Sequence, residues 1–171
     1  GLTFEGVGSR PSVESLKLKP TRIALWDTYG GSMPSGWTRW IFVQYGFNFN
    51  VVYPQELDAG NLSSKYDVIL FVDGAIPESD SPQGGRGGGG GFGGGTPTDL
   101  PGQFRTWTGR VSVARTVPQL KKFIEDGGTV ITIGSSNALA THLGLPISNH
   151  LVERTPAGER ELPREKLFIP G

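Results

Sequence analysis

The sequence predicts an open, doubly wound α/β fold in which a mainly parallel sheet carries helices on both faces. Short apolar runs of strand length alternate along the chain with segments of helical periodicity, a pattern that favours parallel pairing with right-handed crossovers. One of these runs, "DVILFVDG" at 67–74, is almost continuously apolar, as expected for a strand covered on both faces. Glycines at the ends of the helical segments supply stop signals at Gly46, Gly127 and Gly144.

The first predicted strand is "RIALWD" at 22–27, and it leads into a loop rich in small and hydroxyl residues. A helix is predicted next over "GWTRWIFVQYG", with Ser35 as its expected N-cap. Its apolar residues fall at helical spacing, so we expect Trp37 and Trp40 in the core. Trp37 is also a candidate to reach the ligand-binding crevice. "NFNVVY" at 48–53 predicts the second strand.

The second half of the predicted sheet begins with the run at 67–74 as third strand. A helix over "TVPQLKKFIEDGG" is expected to open with a capping box formed by Thr116 and Gln119. Its expected inward residues are Leu120, Phe123 and Ile124. A fourth strand, "TVITIG", and a fourth helical segment, "SSNALATHLG", follow. This order of elements predicts a sheet of the flavodoxin-like kind.

The length of the chain, 171 residues, predicts one domain with tails. We expect a linker or extended arm over 1–20 and the α/β domain over 21–150. The charges and prolines of 151–171 show no helix or strand period, and predict a tail that leads into a truncated region.

The composition excludes several classes of function. The 16 basic and 16 acidic residues give zero formal net charge, which lacks the electrostatic footprint of a nucleic-acid binder. No apolar run reaches the roughly 20 residues that span a membrane, so no membrane insertion is expected. The chain contains no cysteine, which excludes disulfides, thiolate zinc sites and a cysteine nucleophile.

A glycine-rich run at Gly84–Gly95 lies inside a predicted insertion at 75–115. A phosphate-binding loop needs Lys and Ser or Thr directly after its glycines, and "TPTDLPGQF" follows instead. A Gly-Arg box for RNA repeats its arginines, whereas this run holds only Arg86. We therefore expect a flexible insertion, or a lid over the crevice if Phe92 docks against the turn at "GSSNALA".

The strand–turn–helix "TVITIGSSNALA" is the most suggestive candidate site. A nucleophile elbow at this turn would place Ser136 above the sheet, and the alternative is that Ser135 or Ser136 caps the following helix. A serine nucleophile needs a general base, and His142 lies six residues along the helix, about 9 Å of rise away. The cap is therefore the favoured interpretation.

The carboxyl ends of the predicted strands bring further polar residues to one crevice. Asp27 and Asp73 end adjacent strands, where paired carboxylates bind a cation or, more commonly, cap the turns that follow. The loop from Thr28 to Ser32 is a candidate cradle for a flavin phosphate, although it lacks the dense Thr/Ser-Gly-Asn-Thr pattern of flavodoxins. The candidate crevice residues are Tyr29, Trp37, Asp73, Ser135, Ser136 and Asn137.

Three segments together resemble a known family. They are "RIALWDTYGGSMPSGWTRWIFVQYGFNFNVV", "AGNLSSKYDVILFVDG" and "LKKFIEDGGTVITIGSSNALA". They resemble the class I glutamine amidotransferase-like domain attached to bacterial zinc carboxypeptidase-like proteins of the carboxypeptidase A type. The resemblance covers roughly Thr21 to Leu145, and its specific parts are "GWTRW...QYGF" and "FIEDGGTVITIG".

The resemblance implies the fold but not the amidotransferase activity. Active members carry Cys within Gly-x-Cys-x-Gly after this strand, where the present chain has Gly134, Ser136 and Ala138. The downstream His-x-Glu pair of active members also has no counterpart.

The implied function is a non-catalytic accessory domain. It would pack on the peptidase domain of a metallocarboxypeptidase parent, or deliver substrate to it for proteolysis. The resemblance implies no cofactor for this part and zinc only in the parent's peptidase domain, with a periplasmic or secreted location. The alternative is a module that binds a small ligand or a flavin phosphate in the crevice.

Overall fold

The four-stranded sheet of this protein is parallel throughout. The computed structural model describes residues 3–9, 12–14, 19–80, 100–148, 151–156 and 158–166. Its four strands are β1 Ile23–Trp26, β2 Phe49–Val52, β3 Val68–Phe71 and β4 Thr129–Thr132, in the order β2-β1-β3-β4. The predicted α/β class with a mainly parallel sheet is therefore confirmed.

Helices connect these strands as the sequence predicts. They are α1 Met33–Gln44, α2 Pro54–Asp58, α3 Leu62–Lys65, α4 Thr116–Glu125 and α5 Ala138–His142. Short 3-10 helices span Gly102–Trp107, Gly134–Asn137 and Arg164–Lys166. The predicted flexible run at Gly84–Gly95, with the proposed lid residue Phe92, lies outside the described residues.

The two faces of the sheet differ in how they are covered. One row of paired residues crosses what we term the front face: Val51, Leu25, Leu70 and Ile131. The back face carries Ala24, Trp26, Ile69 and Phe71, all buried. The chain passes to one side of β1 to form β2, and then back across the sheet to form β3 and β4. Right-handed crossovers therefore place α1 on one face of the sheet and the later connections on the other. The rings of Phe42 in α1 and Phe49 in β2, 5.3 Å apart, assign α1 to the front face.

The predicted core position of the α1 tryptophans is wrong. Trp37 and Trp40 are 62% and 56% exposed, and the helix packs through Ser35, Thr38 and Phe42, which are buried or half-buried. Apolar residues occur on every side of α1, so hydrophobicity alone does not select its inner side. Small side chains at Ser35 and Thr38 let the helix backbone approach the sheet closely.

The predicted N-cap of α1 is displaced by one turn. Ser32 rather than Ser35 caps the helix, and its hydroxyl accepts the amide N–H of Ser35 at 3.3 Å. The predicted stop is confirmed, because Gly46 adopts a φ of 69°. The amide of Phe47 then donates to the carbonyl of Phe42 at 2.9 Å, which is the pairing of a Schellman motif.

Helix α4 confirms most of its predicted core and none of its predicted cap. Leu120 and Phe123 are buried, whereas Ile124 is 38% exposed. Thr116 is the first helical residue rather than the N-cap. Its hydroxyl accepts the amide of Ser112 and donates to Asp58, so it ties α4 to the end of α2 and does not form a capping box.

Part of the predicted tail at 151–171 forms regular structure that no sequence period indicated. Strands β5 Val152–Thr155 and β6 Gly158–Glu161 form an antiparallel hairpin. Charged residues outnumber apolar ones in both strands. The hairpin therefore has no apolar face that a sequence pattern would reveal.

An ion pair fastens the amino end of β1 to the amino end of β3. The guanidinium of Arg22 donates to both carboxylate oxygens of Asp67, at 3.1 Å from Nε and 2.7 Å from Nη2. The backbone N–H of Arg22 donates to the same carboxylate at 2.8 Å. These hydrogen bonds from Arg22 lower the pKa of Asp67 to about 2.

We expect Asp67→Asn to lower the free energy of unfolding at neutral pH and to have a much smaller effect at pH 2, where about half of the folded carboxyl is protonated. The folded carboxyl has a pKa of about 2 and the unfolded one 3.8. Its stabilising contribution is therefore complete above the unfolded pKa and is lost as the pH falls through the folded pKa. Urea unfolding of both proteins at pH 7 and pH 2 checks this. A difference that is equally large at both pH values would contradict it.

Candidate functional site

The loop after β1 is organised around a buried carboxylate. The side chain of Asp27 is 2% exposed, and its Oδ1 accepts the backbone N–H groups of Thr28 at 2.8 Å and Ser32 at 2.9 Å. Its Oδ2 lies 3.4 Å from Nη1 of Arg39. Asp27 therefore caps the turn that follows its strand, as the sequence prediction favoured over a cation site.

This arrangement does not favour phosphate binding by the same loop. A phosphate cradle presents free backbone N–H groups at a helix N-terminus. Here the carboxylate of Asp27 accepts the N–H groups of Thr28 and Ser32, Pro34 has none, and the N–H of Ser35 is bonded to the cap. A phosphate would in addition meet the negative charge of Asp27.

The loops after β3 and β4 are joined by Asp73 and Ser135. The backbone N–H and the hydroxyl of Ser135 both donate to Oδ1 of Asp73 at 2.7 Å. The hydroxyl also accepts the N–H of Gly74 at 2.9 Å. Hydrogen bonds from the backbone and then the hydroxyl of Ser135 lower the pKa of Asp73.

Gly134 permits this close contact between the two loops. Its φ is +61°, and a Cβ atom at this position would lie 2.4 Å from Oδ1 of Asp73. Only glycine therefore fits between the carboxylate and the backbone here.

Ser136 is a buried structural tie between the same two loops. Its side chain is fully buried, and its hydroxyl donates to the carbonyl of Val72. The same oxygen accepts the N–H groups of Ala75 at 3.0 Å and Ile76 at 3.2 Å. All three hydrogen-bonding positions of the hydroxyl are therefore occupied.

Neither sequence interpretation of the two serines matches this geometry. A nucleophile needs an exposed hydroxyl and a base, and His142 instead places Nε2 2.8 Å from the carbonyl of Pro77. The predicted helix cap is wrong as well, because a 3-10 turn precedes α5 and Asn137, without a side-chain cap bond, is the N-cap residue. Ser135 and Ser136 bond to the loop after β3 instead.

The remaining predicted crevice residues are not brought to one point. Oδ1 of Asn137 accepts the hydroxyl of Thr132 at 2.7 Å, which secures the end of β4. Tyr29 contacts Phe104, with ring centroids 6.2 Å apart. Trp37 lies exposed on α1.

An aromatic cluster at the same edge was missed by the sequence analysis. Trp107 stacks on Tyr53 at 5.0 Å with an interplanar angle of 5°, and Phe104 meets Trp107 edge-on at 5.1 Å. Nε2 of Gln55 donates to the carbonyl of Arg105 at 2.7 Å. The cluster fixes the 3-10 helix at Gly102–Trp107 to the residues that follow β2. The only sequence signal for the cluster was the spacing of the aromatic residues in "QFRTW".

Two kinds of site are absent from the described ranges. Within them, no three His, Cys, Asp or Glu side chains are grouped so that they could hold a metal ion. In the same part of the chain, no helix has the length and apolar character needed to cross a membrane.

Comparison with known proteins identifies no relative of this chain. No protein-family model, no curated protein and no solved structure matches it. The resemblance to the amidotransferase-like domain of carboxypeptidase-like proteins stays a prediction that rests on the sequence segments quoted above.

Proposed function

We propose that this chain is a non-catalytic accessory domain of an exported zinc carboxypeptidase-like protein, and that it acts by binding the parent's peptidase domain. The observation that carries the non-catalytic assignment is the burial and hydrogen bonding of Ser136, and the parent protein is proposed from the sequence resemblance. The elbow position that bears the nucleophile in the resembling family here bears a fully buried hydroxyl with three intramolecular hydrogen bonds.

The chemistry of acyl transfer requires the opposite arrangement. The nucleophile must be exposed to substrate and hydrogen-bonded to a base that takes its proton. The proton of Ser136 is held by the carbonyl of Val72, and the ring of His142 is directed to Pro77. Nothing at this turn activates the hydroxyl.

We also propose that the fold is of the flavodoxin-like kind, and the strand order supports this. The order β2-β1-β3-β4 equals the first four positions of the flavodoxin-like order 2-1-3-4-5. Ligands of such sheets bind between the carboxyl ends of β1 and β3. In this chain, backbone N–H groups of the loops there already donate to the carboxylates of Asp27 and Asp73. This disfavours the alternative function as a flavin or phosphate module.

The enzymatic part of the proposal predicts no turnover and no serine labelling. Purified protein should hydrolyse neither glutamine nor an activated ester faster than the same sample after heat inactivation. Intact-mass spectrometry after incubation with a fluorophosphonate should show no adduct, because the hydroxyl of Ser136 is buried. An adduct that peptide mapping assigns to Ser136 would overturn the non-catalytic assignment.

The partner is tested separately by titrating the domain into the parent's peptidase domain in a calorimeter. We expect saturable binding at equal stoichiometry. No heat of binding, with both proteins folded, would overturn the assignment of the peptidase domain as partner.

A further inference from the structure

The outer edge of β4 presents backbone groups that have no neighbouring strand. Among the described residues, β4 lies at the end of the sheet and pairs only with β3. The N–H groups of Thr129 and Ile133 donate to carbonyls of the β3 segment at 3.0 and 2.9 Å. Backbone groups alternate in direction along a strand, so the N–H and C=O groups of Val130 and Thr132 point away from β3.

The front of this edge is apolar and exposed. Ile131 and Ile133 are 44% and 45% exposed, whereas Leu70, which pairs with Ile131, is only 7% exposed. The front face is therefore covered as far as β3 and open at β4. The segment from Gly127 to Ala140 contains no charged residue, so neither the strand nor the turns beside it repel an apolar neighbour.

The other strand edges in the described part of the chain differ from this one. At the opposite end of the sheet, β2 exposes only Asn50, and Phe49 packs against Phe42 of α1. In the hairpin, both β5 and β6 carry charged side chains. Charges, prolines, bulges and covering segments are the usual protection of an edge strand against pairing. The sequence of β4 has no charge and no proline, and its register with β3 has no bulge.

An extended polypeptide backbone is the chemical partner that fits this edge. The outward groups of Val130 and Thr132 are two N–H donors and two carbonyl acceptors in alternation, and a neighbouring strand presents the same alternation at matching spacing. A helix satisfies none of them, because its own backbone groups are bonded internally. The β-branched side chains of β4 pair favourably with β-branched or aromatic neighbours, and the absence of charge selects an uncharged segment.

We propose that β4 is a docking strand, which takes an extended, uncharged segment of a partner protein as the fifth strand of the sheet. Backbone hydrogen bonds to Val130 and Thr132 hold the segment, and its side chains on the front face cover Ile131 and Ile133, as in other cases of β-augmentation. A strand beside β4 extends the order β2-β1-β3-β4 to the order 2-1-3-4-5 of flavodoxin-like sheets. The proposal does not depend on the identity of the parent protein.

A short peptide tests the docking strand in the full chain. The probe is acetyl-KVTVTK-amide, whose lysines keep it soluble and whose central residues alternate between valine and threonine. We expect the peptide to slow amide hydrogen exchange at Val130 and Thr132, measured by NMR, and to leave the exchange of Ile131 unchanged, because its N–H is already directed to β3. Unchanged exchange at Val130 and Thr132 up to the solubility limit of the peptide would overturn the proposal.

N-methylated peptides separate backbone pairing from simple apolar adhesion. Methylation of the two valine amides and methylation of the two threonine amides remove N–H groups from opposite edges of the same peptide, at equal added apolar surface. One of the two should bind as the parent peptide does. The other should bind about 30-fold more weakly, since each of its two lost hydrogen bonds is worth roughly a factor of five. Equal affinities of the two methylated peptides would contradict pairing along one edge.

Ile131→Lys is the matching change in the protein, because a lysine on an edge strand opposes pairing. We expect it to weaken peptide binding by about 10-fold, which corresponds to the loss of roughly one to two hydrogen bonds. Ile124→Lys is the control, since it adds the same charge at a residue of α4 that is 38% exposed, and it should bind like the wild type. Circular dichroism checks that both variants keep the fold. Equal affinities of the two variants would count against β4 as the docking strand.

The free protein shows whether the edge is already occupied. In a monomer of 18.3 kDa, the amides of Val130 and Thr132 should exchange rapidly. Protection of both amides in the monomer would overturn the proposal, because another segment of this chain would then hold the edge. Protection in a species of twice that mass, measured by light scattering, would overturn it in favour of a second copy.

Discussion

Ser136→Ala is expected to lower the free energy of unfolding by about 2 kcal/mol, because it leaves the N–H of Ile76 without a partner. The N–H of Ala75 and the carbonyl of Val72 keep only their bond to each other, at 3.3 Å. The lost hydroxyl satisfies the N–H groups of Ala75 and Ile76 and the carbonyl of Val72. The site is fully buried, so solvent does not readily replace it. Denaturant unfolding followed by circular dichroism measures the change.

Ser135→Ala is the matched control for this prediction. The hydroxyl of Ser135 also makes two hydrogen bonds, to Asp73 and from Gly74, but the residue is exposed. Water replaces the lost bonds there, so the expected cost is about 1 kcal/mol or less. Equal effects of the two substitutions would show that Ser136 is not the tie described here.

Continuous apolar runs were sufficient to predict the two central strands, β1 and β3. The segments around β1 and β3 are apolar at nearly every position, as a strand between two helical layers requires. Alternation with helical segments then indicated parallel pairing, and the structure confirms it. Glycines with positive φ at 46, 127 and 144 ended helices as predicted, because this backbone conformation favours glycine over every other residue.

The side on which α1 packs could not be predicted from its periodicity. Trp37 and Trp40 dominate any average of hydrophobicity, yet the inner side is set by the small residues Ser35 and Thr38.

The roles of the polar candidates depend on contacts that are distant in sequence. The partners of Ser136 lie 60–64 residues away along the chain, and a local motif cannot indicate them. Local reasoning therefore offered only a nucleophile or a helix cap. The stack of Trp107 on Tyr53 was missed for the same reason, since the two residues belong to different connections.

Gly128→Ala is expected to destabilise the fold by about 3 kcal/mol, since overpacking of a filled core costs this much. Gly128 joins α4 to β4, and its N–H donates to the carbonyl of Phe123 at 2.9 Å. A Cβ atom there would lie 2.3–2.5 Å from the ring atoms of Phe123. That ring is 1% exposed within the core, so it has no free space into which it can move. Thermal and denaturant unfolding measure the effect.

A double variant separates this collision from a general loss of backbone freedom. Phe123→Leu removes the ring atoms that the new methyl group would meet, so Gly128→Ala should cost about 1–2 kcal/mol less in that background than in the wild type. Gly102→Ala is the control for the substitution itself, because nothing lies within 4 Å of its added Cβ, and its effect should stay within about 0.5 kcal/mol. Strict additivity of the Gly128 and Phe123 substitutions would show that contact with the ring is not what excludes a side chain at Gly128.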